Sequence, residues 1–240
     1  MGQASYTFNG AANSYLSAGT FAGCNGLTAA SWSYWVNFSA FTNSVAFIGQ
    51  WATFANATWY IIDDTDSSSN NNKIILTCKQ DNNDNNNYVT CATSSQDSAL
   101  FTLNKWFHCC WTWGGGQTIG NFKFYINGIS QTILINTTNG TTTSLGSNAN
   151  PYIIGALAAS TYNSTCSLAH IGIYNFALSQ AQVQEIMWKP QGITSGLVSY
   201  IPMVETTPKD WVTGNAIATI GASAAASTSG PPVSFPRGPL

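Results

Sequence analysis

Few side chains in this 240-residue chain are of a type that does chemistry. Glycoside hydrolysis needs two carboxyls flanking one bond. Here Glu185 sits in a helical pattern, Glu205 stands near the C-terminal segment, and all seven Asp fall in predicted loops. No catalytic residue is expected. His108 adjoins Cys109 and Cys110, but neighbours on a strand point to opposite faces. An activated nucleophile also needs a base that a third group orients. A core or hydrogen-bonded His108 is the expectation.

Two groups of residues are better suited to binding. Asp63, Asp64 and Asp66, with Asp81 and Asp84 in a neighbouring loop, are hard oxygen donors of the kind calcium takes. Tips rich in Asp and Asn are also ordinary solvated turns, and no EF-hand spacing is present. Trp51, Trp59 and Tyr60 lie close to the Asp63 loop, and Tyr162 lies in another loop. Aromatic rings beside Asn and Asp suit a sugar face; the competing reading is that they are core or inter-subunit contacts.

These residues are carried on segments that read as strands. Trp32, Tyr34, Val36 and Phe38 alternate over Ser31 to Phe38, with Trp35 opposite, so this strand is expected to be covered on both faces. Val45 to Trp51, Thr58 to Ile62, Lys73 to Cys78 and Tyr88 to Thr93 follow, separated by the polar runs 63–72 and 79–87. Such spacing is that of a meander of hairpins. Trp106 to Trp113 and Phe122 to Ile126 form a central hairpin. Asn127-Gly128 suits the tight turn after it, because both residues tolerate positive φ. Gln131 to Ile135, Tyr152 to Leu157, Leu168 to Tyr174 and Leu197 to Val204 are further strands, with a Thr/Asn/Gly loop over 136–150. A single short helix is predicted over Gln180 to Lys189. Ser179 and Gln182 are placed as a capping box, and Val183, Ile186 and Met187 form the apolar stripe.

Hydrophobic residues make up 44% of the chain and charged residues only 7%, against about 25% charged in ordinary globular proteins. The surface must be built from Ser, Thr, Asn and Gly, which suits a protein fixed in an assembly or facing a polymer. The seven Lys and Arg are scattered, which excludes the clustered positive charge of nucleic-acid binding. No apolar run approaches the ~20 residues of a membrane-spanning helix. The first ten residues lack the basic and apolar regions of a secretory signal. The six cysteines are therefore expected to be reduced and buried, and they show no zinc-ligand spacing. From Thr206 the chain turns to Ala, Ser, Gly and Pro. The expected division is a domain over 1–205 and an extended arm over 206–240, which docks on a partner through Trp211, Val233 and Phe235.

Trp106-Phe107-His108 followed by apolar residues, then FYING, resembles the central signature of the concanavalin A-like lectin/glucanase superfamily, in its laminin G-like branch. SWSYWV from Ser31, YIIG from Tyr152 and IGIYNFALSQAQVQEIM from Ile171 match in order, so the resemblance covers roughly residues 4 to 189. It implies an all-β fold: a two-sheet antiparallel jelly-roll sandwich with one short C-terminal helix and the arm. The superfamily's glucanases carry paired Glu residues on one strand, which this chain lacks. Calcium is the family's common ion, so calcium at Asp63, Asp64 and Asp66 is the one cofactor the resemblance allows. His170 stands where many relatives have an acidic residue, which weakens a family-type metal site. The terminal LVSYIPM, DW, TGN and GPPV pieces resemble laminin G-like proteins of phage and virus genomes. Two functions follow as expectations. One is a non-enzymatic structural component of a virion, such as a capsid decoration or tail protein, assembled as an oligomer with other particle proteins. The other is a carbohydrate-binding module at a cell surface or outside the cell.

Overall fold

The computed structural model describes residues 5–12, 14–41, 45–53, 56–64, 72–80, 86–157, 162–205, 207–220 and 224–233. Its strands are, in order, β1 (Ser5–Thr7), β2 (Tyr15–Thr20), β3 (Ala30–Phe38), β4 (Val45–Trp51), β5 (Ala57–Asp64), β6 (Lys73–Lys79), β7 (Tyr88–Thr93), β8 (Trp106–Trp113), β9 (Phe122–Ile126), β10 (Ile129–Gln131) and β11 (Ile133–Asn139). They continue as β12 (Pro151–Ile154), β13 (Cys166–Tyr174), β14 (Leu197–Ile201), β15 (Ala218–Ile220) and β16 (Ala225–Ser227). Among the described residues the α-helices are α1 (Asp97–Leu100) and α2 (Gln180–Trp188), with one 3-10 turn at Ile119–Asn121.

Two antiparallel sheets of eight strands face each other, so the jelly-roll sandwich is the fold. The first sheet runs β10-β9-β8-β3-β13-β1-β16, with β14 also paired to β13; the second runs β11-β7-β6-β5-β4-β12-β2-β15. Between them lies the main core. The alternating Trp32, Tyr34, Val36 and Phe38 of β3 enter it together with Cys109, Trp111 and Trp113 of β8 and Phe47, Ile61 and Leu76 of the second sheet. All six cysteines are free and buried.

The first sheet is covered on its outer face as well. Trp35 packs there with Ala169, Met187 and Val233, and Cys110, Tyr125 and Tyr174 pack beneath Val183, Ile186, Tyr200 and Trp211. Helix α2 makes this second layer. Ser179 caps it with Gln182 as a capping box. The Gln180 and Gln184 side-chain amides both donate to the Gly128 carbonyl, at 3.0 and 3.3 Å. Asn127 and Gly128 have φ of 50° and 75°, and Ile126 pairs with Ile129 across this two-residue turn. A Cβ on Gly128 would stand 2.7 Å from Gln184 Cγ, so both backbone sign and space require glycine there.

Three elements depart from the expected pattern. The loop over 136–150 begins as strand, because Thr137, Thr138 and Asn139 pair with Thr90, Val89 and Tyr88. The turn Asp97–Leu100 is helical. The C-terminal segment does not leave its own chain over its described residues: β15 extends the second sheet at β2 and β16 extends the first sheet at β1. Trp211 and Val233 are 8% and 3% exposed, packed on the outer layer of the same chain. Phe235 lies outside the described residues.

Candidate functional site: the outer face of the second sheet

Strand pairing aligns side chains in rows across the second sheet. One row runs Ala46, Ile62, Ile75, Ala92 and Leu134; the next runs Gly49, Tyr60, Thr77, Thr90 and Thr137. A third holds Lys79, Tyr88 and Asn139, with the Lys79 Nζ 5.9 Å from the centre of the Tyr88 ring. The apolar members form a cluster of their own on the face turned away from the main core, since successive residues of a strand alternate sides.

Of the aromatic residues expected to face sugar, three converge on that cluster. Trp51 meets Tyr60 edge-on at 4.8 Å, and Tyr162 packs beside Leu157 against the same cluster. The Tyr162 loop is tied to β4 by the Ala46 N–H donating to the Tyr162 carbonyl at 2.9 Å. Trp51 and Tyr162 are half-buried, whereas Tyr60 is buried. The Tyr60 hydroxyl bonds Thr77, and burial pushes its pKa well above the ordinary tyrosine range, so the hydroxyl stays protonated. The Thr77 and Thr90 hydroxyls stand 3.0 Å apart. Trp59 does not join them. It is fully buried in the main core, 5.3 Å from Trp32 and 5.6 Å from Tyr152. The hydroxyl row and Lys79 were not picked out from sequence; the alternation over Lys73 to Lys79 was the available signal.

The acidic residues divide as well. Asp64 ends β5 half-buried, and Asp66 lies outside the described residues. Asp63 is 1% exposed and faces Asp97, itself fully buried, from the first turn of α1. Desolvation, and then the Asp97 charge, raise the Asp63 pKa to about 9. Burial raises that of Asp97 too. Asp63 Oδ1 and Oδ2, Asp97 Oδ2 and the nearby Asn72 Oδ1 are buried acceptors without a donor other than a carboxyl proton. Two carboxyls and one amide oxygen fall short of the six to eight oxygens that calcium takes. Among the described residues no group of three or more His, Cys, Asp or Glu could hold a metal ion. The described residues therefore do not fit calcium, and one shared proton is the simpler occupant.

His108 and His170 lie under the outer layer of the first sheet. His108 Nε2 is 2.8 Å from Ser33 Oγ, and His170 Nδ1 is 3.1 Å from the Tyr200 hydroxyl. Both are buried, and burial lowers each pKa to about 3.

A family model of the concanavalin A-like lectin/glucanases superfamily, Laminin_G_3, matches residues 9–184. The chain belongs to this laminin G-type family. None of the curated protein sequences matches it significantly. Among solved structures it is similar to a protein from Bacteroides ovatus ATCC 8483 named for proposed carbohydrate binding, with a TM-score of 0.68 and 13% identity over 97% of this chain and 62% of that one. The chain thus spans less than two thirds of that protein's length. A heptameric SAP-like pentraxin from Limulus polyphemus aligns at a TM-score of 0.49 and 16% identity, covering 77% of this chain and 81% of that one. Domain 4 of AbnA, an extracellular arabinanase of Geobacillus stearothermophilus, aligns at 0.44 and 18%, covering 68% of each chain. These identities speak to the fold alone.

Proposed function

We propose that this protein is a non-catalytic, glycan-binding member of its family, and that Trp51, Tyr60 and Tyr162 hold the sugar. The convergence of these three rings on one sheet face, beside the Tyr60–Thr77–Thr90 hydroxyl row, carries the reading. The half-buried rings of Trp51 and Tyr162 offer stacking surface for the apolar face of a pyranose, while buried Tyr60 and the Thr77–Thr90 hydroxyl pair beneath them fix that surface. The Bacteroides protein named for carbohydrate binding supports the same reading. Catalysis is not part of it. Glu185 lies on α2 and Glu205 beyond β14, and Asp63 and Asp97 are sealed against each other rather than flanking a cleft. Its place is at a cell surface or outside the cell.

A second reading, a structural component of a virion, is favoured by one observation. Charged residues are 7% of the chain, so little repulsion opposes dense packing with particle proteins. Glycan binding and such a role are compatible in one molecule.

A glycan array tests the first reading. Wild-type protein binds at least one glycan class, and Trp51→Ala or Tyr162→Ala abolishes that signal at an unchanged circular dichroism spectrum. An array without a binder sinks the proposal and leaves the particle reading.

A further inference from the structure

Charge is spread unevenly over this molecule. The strands β2, β4, β7, β11, β12 and β15 of the second sheet hold no charged residue. Charges in the strands of this sheet are confined to β5 and β6, which pair with each other. Asp63 shares the side of Trp59 and Ile61 and turns toward the main core. Asp64, Lys73 and Lys79 share the side of Ile62 and Ile75 and turn to the outer face. Both lysines have partners of their own. Lys73 stands directly across from Asp64, and Lys79 is fully buried with its Nζ over the Tyr88 ring. The sequence between these strands adds only the opposite sign, since 65–71 and 81–85 hold Asp66, Asp81 and Asp84 and neither Lys nor Arg. Lys105, Lys123, Lys189 and Lys209 lie on no strand of this sheet.

Taking the rings of Trp51 and Tyr162 as the glycan site proposed above, we propose that the site selects uncharged glycans and turns away those whose rings carry a carboxylate or a sulfate. A sugar laid on half-buried apolar surface gives up water. An anionic group that loses water without gaining a cation is strongly disfavoured, and the outer face holds no cation to receive it. Repulsion acts in the same direction. Burial is the main reason that the Tyr60 hydroxyl holds its proton, and the Asp64 charge strengthens that hold. A glycan carboxylate resting beside Tyr60 meets the same Asp64 charge, as a like charge. A glycan that carries only hydroxyls and amides meets neither cost: its apolar ring face stacks while its polar groups stay toward water. The selection thus comes from what the face withholds as much as from what it offers.

A glycan array with matched pairs tests this on the full chain: oligogalacturonate methyl ester beside the free acid, and N-acetyllactosamine beside its sialylated form, among other uncharged and anionic glycans. Signals that Trp51→Ala removes come from uncharged glycans, and an anionic member binds about ten-fold or more weakly than its uncharged partner. Binding holds constant between about 0.05 and 0.5 M sodium chloride, because no ion pair is there to screen. Asp64→Asn removes the outward carboxylate and releases Lys73, so anionic members gain several-fold at an unchanged circular dichroism spectrum. An anionic glycan that binds as tightly as its uncharged partner, and loses its signal in Trp51→Ala, overturns the selection and leaves the glycan site standing. So does binding that weakens steeply with salt, or an Asp64→Asn variant in which anionic members gain nothing. An array without any binder removes the glycan site itself and the selection with it.

Discussion

Ser33 Oγ and His108 Nε2 stand 2.8 Å apart on the paired strands β3 and β8, sealed beneath the layer that α2 and the C-terminal segment build. His108 Nδ1 has no hydrogen-bond partner among the described residues. A proton added here would bring a charge into an apolar layer, which is why the pKa of His108, and of His170 nearby, falls to about 3 from 6.5. The unfolded chain takes these protons near pH 6.5. Stability from the neutral pair is therefore complete above pH 6.5 and is lost as the pH falls toward 3. At pH 5 each imidazole costs about 2 kcal/mol relative to pH 7.5. His108→Gln should lose roughly half of that acid sensitivity, measured as the wild-type-minus-variant difference in unfolding free energy at the two pH values. An unchanged difference would show that His108 is not buried neutral.

Trp51 and Trp59 are predicted to separate cleanly. Trp59→Ala opens a cavity between Trp32 and Tyr152 in the main core and should cost about 3–5 kcal/mol. Trp51 is half-buried at the end of β4, so Trp51→Ala should cost roughly 1 kcal/mol while removing glycan binding. Thermal melts and binding assays on both variants check this. Equal destabilisation would place Trp51 in the core and remove it from the sugar face.

That pair also marks how far the sequence is legible. Strand alternation put Trp32 to Phe38 and the β8–β9 hairpin where they stand, because each side-chain face there is continuous. Val45 to Trp51, Tyr88 to Thr93, Trp106 to Trp113 and Phe122 to Ile126 keep their expected ends, and the cap at Ser179 starts α2. Parity alone separates Trp59 from Tyr60, but it does not say which face of a buried strand turns outward. Tyr162 reaches Tyr60, and Asp97 reaches Asp63, through contacts distant in sequence that no local pattern encodes. The segment after Thr206 was opaque for another reason. Its strands are made by backbone pairing to the ready edges of β1 and β2, which Ala, Ser and Thr join without any alternation of apolar side chains.

Asp63 and Asp97 give the opposite pH dependence to the histidines. A carboxyl whose folded pKa is raised contributes stability that is present below its unfolded value of 3.8 and is lost as pH rises through about 9. Asp63→Asn removes this loss and leaves an amide to donate to Asp97. The variant should gain on the wild type by roughly 1 kcal/mol per pH unit between pH 5 and 8, read from denaturant midpoints. A constant offset across that range would mean that no proton is shared. Adding calcium should leave the wild-type melt unmoved; a marked rise would restore the metal reading.

Truncation after Val204 is the sharpest test of the C-terminal segment. The segment adds an edge strand to each sheet: β15 lies on β2 over Ala218 to Ile220, and β16 on β1 over Ala225 to Ser227. Removing it would bare both edges and uncover Tyr200, Trp35 and part of the main core, against which Trp211, Val233 and Ile217 are 8%, 3% and 2% exposed. Loss of the Trp211 side chain alone is on the scale of about 3 kcal/mol. Because a domain of this kind is stable by only about 5–15 kcal/mol, the truncated chain should melt far lower or be insoluble, and should bind a hydrophobic dye at neutral pH. Trp211→Ala in the full chain should show a smaller loss of the same sign. A truncated chain that melts with the wild type would mean that the segment is a free arm, available to a partner, and that its contacts with its own sheets contribute little.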